Sequence, residues 1–162
     1  MALLKNGQVA EDLWTILEDG KNLFSVENPL ISLEIWKQNE VEIVRQNKPI
    51  GIFLRSDQSP EEIGESMDRF SVVAIDFPIF TDGRGLSYAR ILRERLGYKG
   101  ELRAVGDVRR DQYLFMLRCG FDAFEIKKES DLEGWNDASE EFSVFYQPTS
   151  DNTPWVLRRR HT

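Results

Sequence analysis

Apolar runs alternate with amphipathic segments through the centre of the chain. Three runs are rich in strand-forming residues: 71–77, 101–108 and 121–126. The first is continuous as far as Asp76 and contains several β-branched residues, which is typical of a strand buried on both faces. The second ends at Asp107. Apolar residues recur at helical spacing in the two intervening segments, 86–96 and 108–119, so the pattern predicts a βαβαβ unit with a parallel sheet.

The flanking segments extend this pattern. Residues 33–47 predict one or two short helices, and residues 49–55 a buried strand. Ser59, followed by proline and glutamate, predicts the N-cap of a helix that leads into the strand at 71–77. Further on, residues 130–138 favour a helix and residues 142–146 a final strand. We therefore predict an α/β fold with an open, mostly parallel sheet of four to five strands and helices on both faces, with a half-barrel βα arrangement as the alternative.

The length of 162 residues predicts a single domain, residues 1–162, with a substantial core. Residues 1–30 alternate only loosely, and they predict edge strands or an irregular arm. Residues 147–162 contain turn and breaker residues, and they predict a C-terminal tail that ends in three arginines preceded by apolar side chains. Such a tail docks either on its own domain or on a partner.

Composition excludes several classes of function. The net charge of −7 disfavours general attraction to nucleic acid or to anionic lipid. No apolar run reaches the roughly 20 residues of a membrane helix, so we expect a cytoplasmic protein. Cys119 is the single cysteine and His161 the single histidine, too few for a structural zinc or an iron–sulfur site. We expect no bound metal, and the sequence contains no cofactor fingerprint. The sequence is compatible with a homo-oligomer.

Polar side chains gather where the predicted strands end. In parallel sheets ligands bind outside these carboxyl ends, because the loops there present side chains and helix N-termini present free N–H groups. The segment FTDGRGLSYAR places two glycines around an arginine between a strand and a helix. It predicts a site for a small oxyanion, with free N–H groups at residues 86–88. The candidate ligand-binding residues are Asp76, Asp82, Gly83, Arg84, Gly85, Ser87, Arg90, Arg103, Asp107 and Asp111.

Each candidate also has a structural interpretation. Asp82 and Gly83 can form a tight turn with Ser87 as the helix cap, and Asp107 can cap a helix that begins at residue 108. Arg103 is a charge among apolar neighbours that needs a partner, for which Asp76 on the neighbouring strand is the obvious choice.

A third interpretation is a Mg²⁺ site, because carboxylate oxygens are the ligands that this ion prefers. It requires Asp76, Asp82 and Asp107 to converge at the strand ends. Three acids at strand ends are also common in α/β folds that bind no metal.

The segment DFPIFTDGRGLSYARILRERLGYKGELRAVGDVRRDQYLFMLRCGFDAFEI closely resembles a family of bacterial proteins of unknown function. A looser resemblance extends over residues 31–160 and includes YQP at 146–148. Members of that family usually carry the label of an oxidoreductase involved in sulfite reduction. The resemblance implies a role in assimilatory sulfate reduction, because the genes of the family tend to lie beside those for sulfite reductase and phosphoadenylylsulfate reductase. It supplies no catalytic residue.

Two functional hypotheses follow. The first is an accessory protein that binds sulfite reductase or its electron donor through the tail and the acidic surface. The second is a small enzyme or sensor that binds an oxyanion or a nucleotide phosphate at the DGRG turn, with Arg84, Arg90 and Arg103 as charge partners. Direct oxidoreductase action needs a flavin or nicotinamide, for which the sequence holds no fingerprint.

Overall fold

A single sheet of eight strands organises the part of the chain that the computed structural model describes, residues 2–127, 134, 135, 137, 138 and 149. The strands are β1 Ala2–Lys5, β2 Gln8–Ala10, β3 Thr15–Leu17, β4 Pro29–Ser32, β5 Gly51–Leu54, β6 Val72–Phe77, β7 Glu101–Gly106 and β8 Ala123–Ile126. The α-helices are α1 Leu33–Gln46, α2 Arg84–Arg90 and α3 Tyr113–Cys119, with a 3₁₀ segment at Pro60–Arg69 and a π-helical continuation of α2 at Ile91–Arg95.

The strand order is β2-β1-β8-β7-β6-β5-β4-β3. Strands β3 to β8 are parallel to their neighbours and follow one another in chain order, which confirms the parallel arrangement predicted for β5 to β8. β1 is antiparallel to both β8 and β2. The prediction of four to five strands is wrong, because the first 32 residues supply four further strands, β1 to β4. Apolar and polar residues alternate only weakly in the N-terminal arm, so the pattern did not predict that β1 lies inside the sheet, between β2 and β8.

The sheet is curled, as the half-barrel alternative predicted. Its two edge strands, β2 and β3, are joined by only four residues, 11–14. Five Cα steps span at most about 18 Å, whereas the seven strand spacings of a flat sheet would separate the edges by about 34 Å. The edges must therefore approach each other, and residues 11–14, which we call the strap, cross the open side of the curled sheet.

The main core lies between the sheet and its helices. α1 begins at Ser32, whose Oγ accepts a hydrogen bond from the Ile35 N–H at 3.3 Å, and it ends at Asn47 in the left-handed region. Ser59 caps the 3₁₀ segment with a complete capping box, as predicted. The helices, the 3₁₀ segment and the outer face of the sheet bury apolar side chains between them. This core includes Ile31, Trp36, Ile52, Leu54, Met67, Val73, Ile75, Phe77, Ala89, Leu92, Met116 and Phe124.

The inner face of the curled sheet carries a smaller apolar cluster of Leu30, Val72, Ala74 and Val105, packed by Phe53 and by Trp14 of the strap. Gly51 makes room for the strap, because a Cβ there would approach the Trp14 ring to 3.2 Å. The described helices bury side chains on the outer face, whereas the sequence predicted helices on both faces. A sheet whose parallel strands follow in chain order places its right-handed crossovers on one side.

Several predictions lie wholly or largely outside the described residues. These are the strand at 142–146, the tail at 147–162 and most of the helix at 130–138, of which Gly134, Trp135, Asp137 and Ala138 are described and helical. Among the described residues, no helix combines the length and the apolar character that crossing a membrane would require.

Candidate functional site

The predicted site lies at the carboxyl ends of the parallel strands. β5, β6 and β7 are parallel neighbours, so the loops that follow them emerge at one edge of the curled sheet, which we call the rim. The structure places Asp76, Asp82, Arg84 and Asp107 at the rim. Ser56, from the loop after β5, joins them.

Arg84 and Asp82 form a bidentate ion pair. The Arg84 Nε lies 3.0 Å from Asp82 Oδ1, and its Nη2 lies 2.7 Å from Oδ2. Nη2 also donates to Ser56 Oγ at 3.0 Å, and Ser56 is buried. The hydrogen bond from Arg84, supported by one from Ser56, lowers the pKa of Asp82 well below its usual range. The arginine at the centre of the DGRG turn is thus neutralised by a carboxylate two residues away.

The two glycines of the turn have different structural roles. A Cβ on Gly85 would lie 2.6 Å from the buried Phe77 ring, so Gly85 allows α2 to approach the sheet closely. Gly83 has a φ of −79°, and a Cβ there would meet nothing within 4 Å. Neither position requires the left-handed backbone that glycine alone adopts easily.

The start of α2 also differs from the prediction. The helix begins at Arg84, so Ser87 lies inside it rather than at its cap. The Leu86 N–H donates to the carbonyl of Gly83 at 3.2 Å and is not free for a ligand. The carboxylate of Asp82 accepts a hydrogen bond from the Arg84 N–H at 3.2 Å, which is the role that the sequence analysis gave to Ser87.

Asp107 joins two rim loops rather than capping a helix. Its Oδ2 accepts from the Phe80 N–H at 3.1 Å and from Arg109 Nη2 at 3.2 Å. The Arg109 guanidinium lies 3.5 Å from the centre of the Phe80 ring, and Gln112 Nε2 donates to the Phe80 carbonyl at 2.7 Å. These contacts fix the loop after β6 against the loop after β7. The next helical turn begins at Arg110 and has no side-chain cap.

Asp76 is the one predicted acid at the rim that keeps an uncompensated charge within the described part of the chain, where it accepts no hydrogen bond and forms no ion pair. It is half-buried beside Gly106, on the same inner face as Val105. Burial raises the pKa of Asp76, and the charge of Asp82 adds to this effect. The rim therefore holds two nearby carboxyl groups whose pKa values move in opposite directions.

Arg103 lies elsewhere, on the inner face of β7. Its Nη1 lies 2.9 Å from Asp12 Oδ2 in the strap, and its Nη2 lies 2.8 Å from Glu101 Oε1. The interpretation that pairs it with Asp76 is wrong for the described residues, since Asp76 stands opposite Val105 on the neighbouring strand. Strand alternation puts Glu101 and Arg103 on one face, a signal that could have identified this pair.

The remaining candidates do not join the rim cluster. Arg90, at the far end of α2, pairs with Glu94 at 3.2 Å. Asp111 is exposed in the 3₁₀ turn at Arg110–Gln112. Asp76, Asp82 and Asp107 share the rim, but the described residues contain no group of three or more acidic, cysteine or histidine side chains arranged to hold a metal ion. The Mg²⁺ interpretation is therefore wrong for that part of the chain.

Comparison with protein-family models matches residues 51–156 to the model of DUF934, a bacterial protein family of unknown function. The matched segment includes β5 to β8 and every candidate residue from Asp76 to Asp111. No curated protein matches the chain. The expected resemblance to a bacterial family of unknown function is confirmed, whereas the oxidoreductase label and the role in sulfite reduction stay predictions.

Proposed function

The chain belongs to the bacterial protein family of unknown function DUF934, and from that premise we propose that it is an accessory protein of assimilatory sulfite reduction. In this proposal it is a binding module for sulfite reductase or for the electron donor of that enzyme. The assignment to sulfite reduction rests on the family resemblance described in the sequence analysis. The geometry of the charged groups supports a binding module over an oxyanion site.

The supporting observation is that each predicted anion-binding arginine already has a carboxylate partner in this chain. Arg84 pairs with Asp82, Arg90 with Glu94, and Arg103 with Glu101 and Asp12. An incoming oxyanion would have to displace a carboxylate of equal charge. For Arg84 it would also forfeit a bidentate geometry, which is the strong form of this hydrogen bond.

Exposed apolar side chains give a partner protein something to contact. Ile79, in the rim loop after β6, is 58% exposed. That loop is held by Asp107, Arg109 and Gln112, so it presents Ile79 without much loss of conformational freedom on binding. Ile79 therefore offers a partner protein an apolar contact at the rim that is already held in place.

The first test is direct binding between the purified full chain and purified sulfite reductase holoenzyme, measured by calorimetry, with the electron donor of that enzyme tested in parallel. We expect saturable binding to one of the two that survives Arg84→Ala. Deletion of residues 155–162, which lie outside the described residues, is expected to weaken it, because an apolar run at 155–157 is followed there by three arginines, a combination that a partner protein can contact. Absence of binding to both proteins would overturn the proposal.

The second candidate, oxyanion or nucleotide-phosphate binding at the DGRG turn, has one observation in its favour. Arg84 is a little more than half exposed, so a ligand can reach it. Thermal unfolding with sulfite, sulfate or adenosine monophosphate separates the candidates. Stabilisation that is abolished by Arg84→Ala would favour the oxyanion site, and no shift with any of the three anions would favour the binding module.

A further inference from the structure

The open side of the curled sheet carries apolar side chains that the fold leaves uncovered. In the strap and the strand that follows it, Leu13 is 62% exposed and Ile16 is 63% exposed. Trp14, between them, packs inward against Gly51 and the inner cluster. The strap is anchored at two points, by Trp14 and by the Asp12–Arg103 ion pair, so it presents Leu13 and Ile16 from a fixed backbone.

A shallow hollow opens beside the strap. It is lined by Ala2, Leu3, Asp12, Arg103 and Glu125. Glu125 lies on the inner face opposite Leu3 of β1 and is half-buried. Within the described residues it forms no hydrogen bond and no ion pair.

The charges around the hollow leave one carboxylate in excess. Arg103 is shared by Asp12 and Glu101, and Lys5 Nζ lies 2.6 Å from Glu101 Oε2. These four side chains, two positive and two negative, compensate one another, and Glu125 adds a further negative charge. A half-buried carboxylate without a partner favours a cation.

The charge of the surface around the hollow indicates which kind of molecule would bind there. Residues 6–30, which include the strap, contain five acidic residues and one lysine. Lys21 already pairs with Asp19 at 3.5 Å. A second copy of the chain would bring the same acids into opposition, and like charges across an interface are unfavourable. A partner that combines basic and apolar side chains is complementary.

We infer that the strap and the hollow form the docking surface for a basic segment of the partner protein, one Lys or Arg of which enters the hollow and pairs with Glu125. Leu13 and Ile16 pack against apolar side chains of the same segment. This inference rests on the proposed function, since it assigns the surface that the binding module uses. A buried basic side chain framed by apolar contacts is the arrangement expected for the centre of an interface.

The test measures the dissociation constant of the full chain for the partner found by calorimetry, sulfite reductase or its donor. Glu125→Gln keeps the shape of the side chain and removes its charge, and we expect binding about tenfold weaker or more with a reduced dependence on salt. Leu13→Ser with Ile16→Ser is expected to weaken binding by a similar factor. Circular dichroism and thermal unfolding establish that each variant is folded.

Two controls match these variants. Glu65→Gln removes an exposed acid of the 3₁₀ segment that has no ion pair within the described residues, and it should leave binding unchanged. Val41→Ser with Val44→Ser removes two apolar side chains of α1, which are 67% and 45% exposed, and should also leave it unchanged.

Each outcome has a separate meaning. Binding that survives the Glu125 and strap variants would overturn the docking surface and leave the accessory function standing, and so would equal losses in the controls. Loss with the strap variant but not with Glu125→Gln would overturn the inserted cation. Failure of the unmodified chain to bind either protein would overturn both proposals.

Discussion

At the residue scale, the two glycines of the DGRG turn differ in how much they matter for packing: Gly85 packs against the sheet, whereas Gly83 faces open space. Gly85→Ala places a methyl group against the buried Phe77 ring and Ile75. We expect the free energy of unfolding to fall by about 1–3 kcal/mol, as for other overpacked sites. Gly83→Ala meets open space at an ordinary φ, and we expect a change within about 0.5 kcal/mol. Urea unfolding of both variants checks this, and a Gly85→Ala variant as stable as the parent would contradict the packing role.

Asp76 gives a pH-dependent prediction at the same scale. Its folded pKa is raised by burial and by Asp82, so between its unfolded value of about 3.9 and the raised value the folded chain holds a proton that the unfolded chain releases. Stability from this group is therefore full below that window and is lost as the pH rises through it. We expect Asp76→Asn to raise the melting temperature at pH 7 but not at about pH 3, which lies below the unfolded pKa, so that the carboxyl is largely protonated in both the folded and the unfolded chain.

Asp111→Asn is the control for this measurement, because Asp111 is exposed, and it should leave the melting temperature unchanged at both pH values. A melting temperature for Asp76→Asn below that of the parent at pH 7 would contradict the prediction. It would mean that the charged carboxylate is compensated in the folded protein.

At the element scale, the Asp12–Arg103 ion pair joins the strap to β7 and adds to the anchoring by Trp14. Asp12→Ala leaves Arg103, whose side chain is 4% exposed, with Glu101 as its remaining carboxylate. We expect a loss of about 1–3 kcal/mol, since a buried charged donor loses an acceptor. Hydrogen exchange should quicken at the amides of residues 11–14 before it does in β5 to β7. Glu18→Ala, which removes an exposed acid of the same arm that has no ion pair within the described residues, should change neither quantity.

The strands that the sequence predicted well are those whose signal is local. β5 to β8 are short apolar runs that end in polar residues, so their existence, their direction and the rim position of Asp76 and Asp107 follow from the pattern. β1 was not predicted because it pairs with β8, more than 100 residues away in the chain, and such a pairing produces no periodic pattern in the sequence. The pairing of Asp12 with Arg103 was not predicted for the same reason, since the two residues are 91 positions apart.

At the scale of the whole molecule, the curl of the sheet connects these parts. The four-residue strap brings β2 and β3 together, and this closure creates an inner face with its own apolar cluster and its own charged network. Helices occupy the outer face and the rim occupies one end. The chain thus presents two distinct candidate surfaces, the rim and the strap, of which only the first is marked by the strand-end residues of the sequence.

The final prediction is that residues 51–162, which contain the segment matched by the family model, do not fold alone. This fragment lacks residues 1–50, which contribute Leu4, Leu23, Ile31, Leu33, Ile35, Trp36, Ile43 and Ile50 to the main core. Trp36 packs edge-on against Phe70 with ring centres 4.8 Å apart, and Phe70 belongs to the matched segment. Truncating one buried residue of this size costs about 3–5 kcal/mol, whereas a whole domain is stable by about 5–15 kcal/mol.

A fragment of residues 51–162 is therefore expected to show no cooperative urea transition by circular dichroism. Co-expression with residues 1–50 should restore the transition, because the missing strands and α1 can then add to the exposed edges and cover the outer face of β5. Trp36→Ala in the co-expressed piece should weaken that rescue more than Val41→Ser, which removes an exposed side chain of the same helix. A cooperative transition in the fragment alone, at the midpoint of the full chain, would show that the N-terminal strands are dispensable for the core.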